Sequence, residues 1–108
     1  MEERNISFED LGLSEAMLKA LEQKGYGYPT TIQAEAIPPF LQWKDVIAKA
    51  PTGTGKTFAF GIPMIEHIDA ASNEVQALIL APTRELAIQI GDELRGLLTY
   101  FTGIRVAV

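Results

Sequence analysis

The sequence predicts an α/β fold with a parallel sheet, preceded by two short helices. Three observations carry this prediction. The apolar segments DVIAKA at 45–50, VQALILA at 75–81 and IRVAV at 104–108 read as buried strands. Stretches of helical periodicity separate them, and connections of that length cross over between parallel strands instead of turning back as hairpins. Directly after the first strand comes APTGTGKT at 50–57, a glycine-rich turn that delivers the chain into a helix.

The elements follow in order. LSEAMLKALEQKG at 13–25 reads as a short helix, with Ser14 as its cap, Glu15 at its positive end and Gly25 as its stop. Leu13, Met17 and Leu21 share one face. GYGYPT is a turn in which Pro29 holds Tyr28 extended. TIQAEAIPPFLQ is the second helix, and Pro38 and Pro39 are expected to kink or divide it. A third helix begins at about Lys56, although Gly61 and Pro63 are poor helix residues. DAASNE at 69–74 is a polar loop. TRELAIQIGDELRGLLTYF at 83–101 carries the clearest helical stripe, through Leu86, Ile90, Leu94 and Leu97 or Leu98, and Gly103 ends it. The chain stops at Val108 inside an apolar segment, which points to a truncated domain.

Composition bounds the function. The 108 residues suit one modest domain, and a 47 % hydrophobic content supports a packed core. With no cysteine and a lone His67, thiolate sites, disulfides and histidine metal clusters are excluded. No apolar run approaches the ~18 residues that span a bilayer, and MEERNISFED lacks a signal-peptide apolar stretch. The expected setting is cytoplasmic, without a membrane partner. A net charge of −5 opposes bulk attraction to nucleic acid but leaves room for a local cationic contact.

The loop at 50–57 has the form A-x-x-x-x-G-K-T, a variant of the phosphate loop with Ala50 in the place of its first glycine. Ala50, Pro51, Thr52, Gly53, Thr54 and Gly55 supply a turn whose glycines let backbone N–H groups converge on an anion. The helix starting at Lys56 adds its positive end. Lys56 brings a mobile cation to the β and γ phosphates, and the Thr57 hydroxyl can ligate Mg²⁺. A plain Gly/Thr-rich connector would need neither the strand before it nor the helix after it. The expected cofactors are ATP and Mg²⁺, with Lys56 and Thr57 as the residues nearest the chemistry.

Phosphate loops serve many activities, so the flanks decide. GYGYPTTIQ at 25–33, with Phe8 upstream, resembles the Q motif of DEAD-box RNA helicases, and PTRELA at 82–87 resembles that family's motif Ia. Their order and spacing around the phosphate loop match as well, over nearly the whole chain. The resemblance implies that residues 1–108 form a truncated N-terminal RecA-like, ATP-binding domain, with the Q-motif region at 8–33. It implies that Gln33 reads the adenine edge and that Tyr26 stacks on the base. A carboxamide offers the donor and acceptor this needs, and an aromatic ring the face. It also implies that Pro82, Thr83 and Arg84 contact an RNA backbone. Two structural alternatives stand beside these roles. Thr30-x-x-Gln33 is a capping box, and Thr83 reads equally well as a plain helix cap with Arg84 a solvated charge. Trp43 reads as a loop anchor, His67 as a surface residue at a helix end, and Phe58 and Phe60 as core.

The chain contains no D-E-A-D and no S-A-T. The family resemblance therefore implies a parent protein that is an ATP-dependent RNA helicase, while this chain alone is not expected to unwind RNA. The alternative is a module that binds nucleotide without hydrolysis, or one that self-assembles. Strands left without neighbours would expose their edges, and a homodimer through those edges is expected.

Overall fold

The computed structural model describes residues 6–49 and 55–108. Among these residues the chain forms a 3-10 turn at Phe8–Leu11 and four helices, α1 (Glu15–Gln23), α2 (Thr31–Leu41), α3 (Lys56–Glu66) and α4 (Arg84–Gly96).

The start of α1 is fixed by Ser14, whose hydroxyl accepts the Met17 N–H at 3.2 Å. Its end is equally determined. Gly25 takes φ 84, the Gly25 N–H bonds the Glu22 carbonyl, and the Tyr26 N–H bonds the Leu21 carbonyl, both at 3.0 Å. These paired bonds satisfy carbonyls that a helix end otherwise leaves open, and they set the direction in which Tyr26 leaves α1. Met17, Ala20 and Leu21 form the buried face.

The prolines do not divide α2. It runs as one element through Pro38 and Pro39. Each removes one internal donor, and the Gln42 N–H resumes bonding to the Pro38 and Pro39 carbonyls at 3.3 and 3.1 Å. Ile37, fully buried, anchors the segment.

α2 and α3 are the most extensively packed pair. The Gln33 side chain at the start of α2 bonds Gly55 at the start of α3, and Phe40 near the end of α2 bonds His67 at the end of α3. The two helices therefore run parallel. Gly61 in α3, a poor helix former, has a packing role. A Cβ there would collide with the Leu94 side chain of α4, so the glycine permits the closest approach of those helices. Thr83 caps α4 by accepting the Leu86 N–H at 3.1 Å. The helix stops at Gly96, short of the expected residue 101. Bonds from the Leu97 and Leu98 N–H groups to the Leu94 and Arg95 carbonyls tighten the last turn, and the chain folds back through Gly103 at φ 83.

The core joins Phe8, Leu11, Met17, Leu21, Ile37, Ile62, Ile65, Leu94 and Leu97. Ile79, Ile104 and Val106 pack against its edge. These three belong to the expected strands, but the expected parallel sheet does not form among the described residues. Segments 45–49, 75–81 and 104–108 carry no ladder. In the second and third, Ile79, Ile104 and Val106 touch the core, whereas Ile47, Leu78, Leu80 and Val108 are 94 %, 81 %, 85 % and 68 % exposed. A strand is defined by a partner that takes up its N–H and C=O groups, and three segments in search of neighbours lack that partner.

Candidate nucleotide-binding site

Ala50, Pro51, Thr52, Gly53 and Thr54 of the expected phosphate loop lie outside the described residues. The remaining members are placed. Gly55 caps α3 in the left-handed region at φ 87. Lys56 is the first residue of α3 and is exposed, and Thr57 follows, half-buried.

The Q-motif residues meet this glycine directly. The Thr30 hydroxyl accepts the Gln33 N–H at 3.4 Å, and Gln33 Oε1 accepts the Thr30 N–H at 2.9 Å, which completes the capping box. Gln33 Nε2 then donates to the Gly55 carbonyl at 3.2 Å, across 22 residues of chain. Gln33 is 4 % exposed. A Cβ on Gly55 would collide with the Gln33 amide and come within 3.1 Å of Thr30 Oγ1. Glycine is thus demanded at position 55 twice, by its φ and by this close approach. The capping role of Gln33 is present in full, and each polar atom of its carboxamide is already in use once. One N–H and one lone pair remain.

Tyr26 packs against Phe58 of α3 with ring centroids 5.2 Å apart and planes at 84°, an arrangement favoured by ring quadrupoles. It stays 48 % exposed. Phe58 is half-buried against the core, as its reading as a core residue required. Tyr26, Gln33, Gly55, Lys56 and Thr57 therefore gather at the N-terminal end of α3. Among the described residues no group of His, Cys, Asp and Glu could hold a metal ion, so an ion there would be carried by the phosphates with the Thr57 hydroxyl beside it.

Pro82, Thr83 and Arg84 lie elsewhere, exposed at the start of α4. Thr83 acts as the cap, and among the described residues Arg84 forms no ion pair. Sequence reasoning missed two features of the same helices. Trp43, at φ 65, stacks on His67 at 3.6 Å between centroids, and a His67 ring nitrogen bonds the Phe40 carbonyl at 3.1 Å. Glu66 bonds the Ser14 N–H. Both are contacts between residues far apart in sequence, with no local pattern to announce them.

The DEAD/DEAH box helicase family model matches residues 30–108, from the Thr30 cap to the last residue. The chain belongs to this family. Among DEAD/DEAH box helicases, the DEAD-box ATP-dependent RNA helicase CshA of Geobacillus kaustophilus is 56 % identical over 88 residues. That match covers 82 % of this chain and 19 % of the relative, so the chain spans about a fifth of the length of the curated relatives it matches. The RNA helicase Prp28 of Chaetomium thermophilum bound to ADP is 40 % identical, with a TM-score of 0.86 over 99 % of this chain and 27 % of that one. Dbp5 of S. cerevisiae bound to RNA and ADP BeF3 is 35 % identical, with a TM-score of 0.85 over 91 % of this chain and 25 % of that one. The fold is that of the DEAD-box structures, although the described residues contain no sheet. No helix among them is long and apolar enough to cross a membrane.

Proposed function

We propose that the chain binds ATP with Mg²⁺ at the N-terminal end of α3, within a RecA-like ATP-binding domain of an RNA helicase. The observation that carries this reading is the Thr30–Gln33–Gly55 junction, which holds the Q motif against the phosphate loop. In this reading residues 50–55 wrap the phosphates, Lys56 neutralises the β and γ groups, and Thr57 ligates Mg²⁺. Tyr26 stacks on adenine, and Gln33 offers the base its remaining donor and acceptor. Pro82, Thr83 and Arg84 contact RNA phosphates through a hydroxyl, a guanidinium and the free amides of a helix N-terminus. The nucleotide and RNA named for the related structures suit both assignments.

Hydrolysis and unwinding belong, in this reading, to a protein that adds the D-E-A-D carboxylates and a second domain in the cytoplasm. Segments 45–49, 75–81 and 104–108 become the parallel sheet once neighbouring strands stand beside them. A self-assembling module is the second reading, favoured by the exposure of Leu78 and Leu80.

Calorimetry with ATP and ADP in Mg²⁺ tests the site. Saturable binding is expected, abolished in Lys56→Ala, and in Gln33→Ala the preference for ATP over GTP is lost. A folded chain that binds neither nucleotide overturns the reading.

A further inference from the structure

We propose that Glu66 is a positioning residue for the adenine site, acting through α1. The inference rests on Tyr26 being the base platform.

Glu66 is the last residue of α3, where the negative end of the helix opposes a carboxylate. Its placement makes sense only against another element. Glu66 Oε2 accepts the N–H of Ser14, the residue that caps α1. The carboxylate thus lies at the positive end of α1 and is matched to that helix, not to its own. At its other end α1 closes with the Gly25 turn, which fixes the direction of Tyr26. Tyr26 then rests on Phe58, near the start of α3. The two helices are consequently antiparallel. α1 is tied to α3 at both ends, by Glu66 on the Ser14 N–H at one and by Tyr26 on Phe58 at the other. The Lys24 side chain, lying over Gly96 of α4, braces the same end. Releasing Glu66 frees α1 to pivot about its buried Met17 and Leu21, and Tyr26 moves with it. The phosphate end is expected to hold, because Gly55 and Lys56 lie at the opposite end of α3 from Glu66.

The prediction is therefore selective. Affinity for Mg²⁺–ATP is compared with affinity for Mg²⁺–tripolyphosphate, which has no base, in the 108-residue chain. Glu66→Ala is expected to weaken ATP about fivefold and leave tripolyphosphate unchanged. Glu66→Gln, which keeps an acceptor oxygen, is expected to restore most of the loss. In a Tyr26→Ala background, Glu66→Ala is expected to have no further effect, since the two changes act on one contact. Equal ATP affinity in Glu66→Ala and the unaltered chain overturns the proposal. So does a parallel fall for ATP and tripolyphosphate, which would mark a general loss of structure, or full additivity with Tyr26→Ala. An unaltered chain that binds tripolyphosphate as tightly as ATP overturns the base platform itself and the proposal with it.

Discussion

Gln33 shows how one side chain serves as a cap, a buried polar group and a long-range clamp together. Removing its carboxamide leaves the Thr30 N–H and the Gly55 carbonyl without their partner. Gln33→Ala is expected to lower stability by about 1–3 kcal/mol, measured by denaturant unfolding. Gly55→Ala meets both a left-handed backbone and the Gln33 amide, and a loss of about 1–2 kcal/mol from the backbone alone is expected in the same assay. Lys56 is exposed, so Lys56→Ala should unfold at the denaturant concentration of the unaltered chain while losing nucleotide. The capping box of Thr30 and Gln33 was legible in the sequence at this scale. Thr30, Gln33, Gly55 and Lys56 are residue types whose chemistry is tied to their spacing. His67 was not legible. Its hydrogen bond to the Phe40 carbonyl and its stack on Trp43 join the far ends of two helices, and nothing within a few residues of it encodes that meeting. Trp43 is the only tryptophan, so a changed emission spectrum in His67→Ala is expected to report this contact directly.

Among the helices, local signals predicted the starts better than the ends. Ser14, Thr30 and Thr83 each cap as their side chains dictate, because an N-cap is satisfied within four residues of chain. The fate of Gly61 depends on what packs beside it, and α2 continues through Pro38 and Pro39 where propensity allowed for a break. Gly61 offers the sharpest check. Gly61→Ala raises helix propensity yet drives a methyl group into Leu94, and a net loss of about 1–3 kcal/mol is expected from overpacking. Trimming the partner in Gly61→Ala/Leu94→Val should recover part of it. A simple additive loss in that double variant would mean the two helices do not meet at Gly61.

For the whole molecule, the strands were read correctly as apolar segments but not as a sheet. Apolar pattern is a property of the segment, whereas a ladder belongs to a pair of segments. Ile79 and Val106 settle on the helices while Leu78, Leu80 and Val108 face outward. Such a surface promotes association. The chain is expected to be larger than a monomer by light scattering at micromolar concentration. Leu78→Lys/Leu80→Lys is expected to shift it towards monomer without loss of helical circular dichroism.

The parallel course of α2 and α3 brings two positive helix ends together, one at Thr30 and one at Gly55. Side-by-side dipoles of the same sense repel, and the fold holds that repulsion in place through the packing of α2 on α3, with the Gln33 carboxamide at the junction. A polyanion seated between the two ends would relieve it. Inorganic pyrophosphate, at saturating concentration, should therefore raise the melting temperature of the chain, and added sodium chloride should erode the gain as the charges are screened. On the proposed reading, a nucleotide's phosphates at the start of α3 would supply that counter-charge.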